Sequence, residues 1–199
     1  MRSSIRALSC GAAFVAAIGA LVMSAAPASA SVTIALDLRQ LVRRSHVIFL
    51  GTVVRQDTHW DDRRRIVTDV TFSIEDAVKG SSRRGEEIVV RRLGGAIGDL
   101  GMRIEGEPSW NDGERSVVFA YRPTGRPMLR PVGMSQGVLP VRIQAGRELV
   151  FPGGAGLALM QRVDTGQLLP APPALIHTRP LADVLTDIRQ VVEETRVAP

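Results

Sequence analysis

Cysteine is all but missing from this chain of 199 residues, and the single one, Cys10, falls inside an apolar N-terminal stretch. Beyond Ala30 there is no thiol, so disulfides, cysteine–zinc sites and cysteine nucleophiles are excluded there and stability must come from packing. Lysine is as scarce: Lys79 is the only one, and every other basic side chain is an arginine. Guanidinium groups stay protonated, so the formal net charge of +5 does not titrate away. Aromatic residues make up 4% of the chain, too few for a base-stacking platform, which argues against nucleic acid as a partner. No internal repeat marks a solenoid or a propeller.

What is present begins with an address. Arg2 and Arg6 give a positive start, Ala12–Ala26 is almost wholly small and apolar, and Ala28-Ser29-Ala30 puts small residues at −3 and −1 of a cleavage site. This is the order of a secretory signal peptide over residues 1–30, with cleavage between Ala30 and Ser31. Its apolar run is too short for a stable membrane span, so none is expected after cleavage. The expected location is the periplasm or the exterior of the cell. Ala7-Leu8-Ser9 fits a lipoprotein site poorly, which leaves Cys10 as one more small apolar residue. Removing two arginines with the signal leaves a net charge of about +3 on about 170 residues, enough chain for one packed core.

Asp37 caps a short predicted helix in which Leu38, Leu41 and Val42 share a face. Val47–Val54 is an unbroken apolar run, read as a buried strand, and Arg55–Arg65 is read as a polar loop. Ile66, Thr68, Val70, Phe72 and Ile74 alternate with polar neighbours, the period of a strand with one face in the core. Further strands are expected at Glu87–Leu93, Ser116–Tyr121, Met128–Met134, Val138–Ile143 and Glu148–Phe151, with Gly94-Gly95 breaking the first of them. Residues 153–178 are rich in glycine and proline and read as a loop. Leu181, Val184, Leu185, Ile188, Val191 and Val192 then recur at helical spacing, so residues 179–197 form a terminal helix. The fold class is mainly β with flanking helices, a small barrel or, as the alternative, a two-sheet sandwich, and residues 31–152 carry the β domain.

The stretches "HVIFLGTVV", "IVTDVTFSIEDAVKG", "EEIVVRRLGG" and "GERSVVFAYR", spread over Leu36 to Tyr121, give the chain a recognisable shape. It resembles the netrin-like module of the tissue inhibitors of metalloproteinases and, more closely, a broad set of uncharacterised exported bacterial proteins with the same strand, Val-Lys-Gly turn and strand. The resemblance implies an OB-like five-stranded barrel. The inhibitors chelate a protease's zinc through an N-terminal cysteine; here Ser31 stands at the expected mature terminus, so no inhibitory residue maps onto this chain.

No constellation for catalysis, cofactor or metal stands out. Asp57, His59, Asp61 and Asp62 are metal-type ligands close in sequence, but no glycine shapes a calcium loop and Arg63-Arg64-Arg65 would repel a cation. The arginine triplet could grip an anion or pair with Asp61 and Asp62; Arg83-Arg84 adds charge, while Arg91 and Arg92 point to opposite faces of a strand. Ser135-Gln136-Gly137 lacks the preceding glycine of a nucleophile elbow, and Gly94–Gly98 has no phosphate-loop lysine. His46 and His177 sit at element junctions, and Glu105 and Glu107 could share a face if extended. Trp60 and Trp110 both fall in polar segments, where an indole either meets a partner or folds back on the core, and they form the candidate contact surface. The expected function is a non-enzymatic exported module binding a protein or an envelope polymer. The alternatives are a secreted hydrolase with a carboxylate or histidine site, and a packing domain whose terminal helix docks on a larger assembly.

Overall fold

The computed structural model describes residues 31–172 and 177–197, so the expected signal segment, Ala30 of the expected cleavage site and the stretch 173–176 lie outside the described residues. In chain order come β1 (Ser31–Ile34), α1 (Leu38–Arg44), β2 (Val47–Trp60), β3 (Ile66–Lys79), β4 (Glu87–Leu93), β5 (Gly95–Ile97), β6 (Leu100–Met102), β7 (Arg115–Tyr121) and β8 (Arg130–Pro131). A 3-10 turn at Met134–Gly137 leads into β9 (Val138–Gln144), β10 (Arg147–Val150), β11 (Leu157–Arg162), β12 (Leu168–Pro170), β13 (Arg179–Pro180) and α2 (Leu181–Val197). Asp37 starts α1 as its sequence suggests. Its side chain accepts the Gln40 amide at 2.7 Å, and the Gln40 side chain accepts the Asp37 amide at 3.0 Å, so two orphan donors are satisfied reciprocally.

The principal sheet runs β13-β10-β9-β7-β2-β3-β4, with β8 beside β7. Its two central strands are buried on both faces. On one side Phe49, Val53, Val118 and Ala120 meet Phe72, Val90, Trp110 and Leu129. On the other, Ile48, Leu50, Val117 and Phe119 lie under Leu41 and Val42 of α1 and the Val184, Leu185 and Ile188 stripe of α2. Burial on both faces is why β2 and β7 read as unbroken apolar runs, whereas β3 alternates. α2 therefore belongs to the same packed body as the strands.

The architecture is mainly β with a helix near each end of the described chain, as expected, but its sheets are open and multiple and not clearly the expected OB-like five-stranded barrel. The described residues form thirteen strands in three sheets. The cause is the double-sided burial: the helices need a wider apolar floor, and β9, β10 and β13 extend the sheet to supply it through Leu139, Val141 and Val150. At the other end β4 curls back. Val90 bridges Leu129 in parallel, and the Arg91 amide donates to the Leu129 carbonyl at 2.8 Å.

Two segments read as loops are strands. β2 continues through the polar residues to Trp60, because β3 pairs with it along its whole length and Thr58 and Thr68 share a hydroxyl hydrogen bond of 3.0 Å. Within 153–178, β11 aligns in parallel with β1, Ser31 opposite Leu157, and β12 pairs beside it. Of the predicted strand Met128–Met134, only Arg130–Pro131 forms a named strand, beside β7, while Leu129 makes the isolated bridge to Val90.

Candidate functional site

The end of the β2–β3 hairpin is built around one carboxylate. Asp61 accepts the amides of Arg63 and Arg65, each at 2.9 Å, and takes the Arg65 guanidinium through Nε at 2.9 Å and Nη2 at 2.6 Å. The Arg65 bonds favour the charged form and hold the Asp61 carboxyl at about 2, below its ordinary 3.8. Arg64 takes the left-handed conformation, φ 55°, that lets the chain reverse.

Beside this turn lies a cleft of about 480 Å³, closed on its far side by the loop that leaves β7. Trp60 forms its lip and is 49% exposed. Tyr121, Arg126 and Met128 form the opposite wall. Arg126 reaches across to Asp62 at 3.2 Å, and Arg91 grips Asp69 through Nε at 2.6 Å and Nη2 at 2.7 Å. The Arg63 side chain makes no hydrogen bond among the described residues and adds unpaired positive charge to the rim.

Asp57, His59, Asp61 and Asp62 are not gathered on a common centre. Asp57 and His59 lie on β2, with 3.5 Å between His59 Nδ1 and the Asp57 carboxylate, while Asp61 is turned to Arg65 and Asp62 to Arg126. Among the described residues no group of three or more histidine, cysteine or acidic side chains could hold a metal ion.

Trp110 is in the core. It is 5% exposed and meets the Phe72 ring edge-on at 5.4 Å, and Phe72 meets Phe49 the same way at 5.4 Å. The candidate contact surface thus narrows to Trp60. Ser31 opens β1, its hydroxyl donating to the Glu105 carbonyl at 2.9 Å. His46 accepts the Arg122 amide on Nδ1 at 3.0 Å, and the Ser135 hydroxyl donates to the Ala155 carbonyl at 2.9 Å; both are structural bonds. His177 is exposed ahead of β13. Arg83 lies in the turn before β4, where its amide donates to Glu86.

A second cleft, of about 400 Å³, lies where β4 ends. Gly94 and Gly95 turn the chain there with φ of 90° and 140°; a Cβ at Gly95 would stand 2.5 Å from the Thr58 methyl, so only glycine fits. Arg91 and Arg92 line different clefts, Arg91 the first and Arg92 the second. Glu105 and Glu107 both line the second cleft but have different partners: Arg103 holds Glu105, and Arg130 with the Leu93 amide holds Glu107. Arg126, Tyr121 and Met128 had no sequence signal as site residues, because β7 and β8 alone bring their loop beside the hairpin end. No family model matches the chain, and no curated protein matches it.

Proposed function

We propose that the chain is an exported, non-enzymatic binding module that holds a protein or an envelope polymer, and not nucleic acid, at the end of the β2–β3 hairpin. Trp60 carries this reading. A large amphipathic ring, half exposed, stands at the lip of a cleft where Arg65 and Arg126 meet Asp61 and Asp62, Arg91 and Arg130 meet Asp69 and Glu107, and Arg63 has no side-chain partner among the described residues. Exposed indole and guanidinium groups supply contact area at low entropic cost, and the excess of positive charge favours an acidic stretch of the partner. The carboxylates around the cleft support binding over acid–base chemistry. Asp61, Asp69 and Glu107 are each engaged by an arginine, Arg65, Arg91 and Arg130, instead of facing the cleft unpartnered.

The OB-like reading is supported by the curl of the sheet. β7, β2, β3 and β4 follow one another, and β4 meets Leu129 just before β8 returns to β7. OB-type barrels bind across one strand face and its adjoining loops, as this cleft would. Export is supported by the N-terminal pattern of residues 1–30.

The test is affinity capture from the producing cell's envelope with the mature protein and with a Trp60→Ala, Arg63→Ala variant. The variant should keep its stability within about 0.5 kcal/mol and lose most of the captured partner. Undiminished capture, or a variant that unfolds, contradicts the reading.

A further inference from the structure

We propose that the cleft at the end of β4 is a binding site for a monocarboxylate carried on an apolar body, with Arg92 as its anchor. This site is separate from the Trp60 cleft, and its fate is independent of that reading.

Arg92 stands apart from the other half-buried arginines. Arg65, Arg91, Arg115 and Arg130 each grip a carboxylate. Arg92 grips none: its Nε is sealed from solvent and makes no hydrogen bond, and neither Nη finds a partner among the described residues. Burial pulls its pKa down, and the charge of Glu107 only partly offsets this. Only Nε is closed off; the two Nη groups, unbonded among the described residues, are the donors a ligand in the cleft can reach, and a pair of unused guanidinium donors matches a carboxylate.

The surroundings say which anion fits. Leu93, Met102, Ile104, Val138, Pro140 and Pro152 supply apolar wall. A pocket that is mainly apolar with one oriented charge is the usual form of a small-ligand site. Glu105 and Glu107 are also on the walls, but Arg103 bonds the first at 2.8 Å and Arg130 the second at 2.8 Å, with the Leu93 amide on Glu107 at 3.1 Å. Glu107 is bonded on both oxygens, its side chain is only 6% exposed, and it makes no hydrogen bond to Arg92. Glu105 is paired with Arg103 and Glu107 with Arg130, which leaves the Arg92 charge without a partner. A single negative charge balances it. A phosphate dianion would add repulsion from both glutamates, whereas a carboxylate with an apolar tail uses the fork and the wall together.

Benzoate serves as the probe on the mature protein, with inorganic phosphate as the dianion control. Binding is followed by thermal stability and by the Arg92 Nε–H resonance. Benzoate should raise the melting temperature in a saturable way and shift that resonance together with the amides of Met102 to Glu107. Phosphate should do neither. Arg92→Gln should abolish the benzoate response, and Arg92→Lys, which keeps the charge and loses the fork, should weaken it by about tenfold. Absence of a saturable shift in the unsubstituted protein overturns the proposal, as does an equal response to phosphate. Retained binding in Arg92→Gln overturns it too. If Arg92→Gln does not fold, undiminished affinity in Arg92→Lys overturns it.

Discussion

Two indoles in similar polar surroundings have opposite fates. Trp60 ends a strand whose partner stops at Ile66, so its ring overhangs the hairpin and stays half exposed. Trp110 precedes the Asn111–Glu114 turn into β7, which places it over Phe72. Trp110→Ala should therefore cost about 3–5 kcal/mol in urea unfolding, whereas Trp60→Ala should stay within about 0.5 kcal/mol. Asp61 makes a second prediction at this scale. Its folded carboxyl titrates near 2 instead of 3.8, so its contribution is fully present above about pH 4 and is lost as the pH falls toward 2. Asp61→Asn should flatten the acid limb of stability in that window. An unchanged acid limb in a series of urea midpoints would show that Asp61 does not anchor the turn. None of this was visible locally: the Asp61 side chain is nearly buried and takes two turn amides with the Arg65 guanidinium, whereas that of its neighbour Asp62 is exposed and meets Arg126.

Elements were legible where one face had a single environment. The α2 stripe from Leu181 to Val192 was readable because a helix resting on a sheet buries a fixed period, and Asp37 because a cap is a local device. β2 beyond Val54 was not legible, because its partner residues, not its own polarity, make it a strand. β11 was hidden for a stronger reason: its partner β1 lies more than a hundred residues away. Gln136 locks that distant pairing. Its Oε1 accepts the Leu36 amide at 2.8 Å, and its Nε2 donates to the Ile34 carbonyl at 3.2 Å. Gln136→Leu would leave both backbone groups without these partners and should cost about 1–3 kcal/mol by thermal unfolding. Deleting residues 181–199 should give an insoluble product, since Ile48, Val117 and Phe119 would face water. A soluble deletion product with native near-ultraviolet circular dichroism would refute this packing.

At the scale of the whole molecule, a sheet covered on both faces explains how a chain without a thiol beyond Ala30 holds together. One core lies under the helices, and the other lies inside the curl of β2, β3, β4 and β7. Alternation and apolar runs made the β class readable, but not the openness of the sheet, which is settled by pairings at its ends. The clefts were the least legible feature, since each is formed by loops that only the sheet brings together. Hydrogen–deuterium exchange of the chain from Ser31, alone and with any captured partner, tests the proposed binding role most directly. Protection should appear at Thr58–Arg65 and Tyr121–Met128, the two walls of the Trp60 cleft. Protection confined to β1, β11 and β12, or none anywhere, would contradict it.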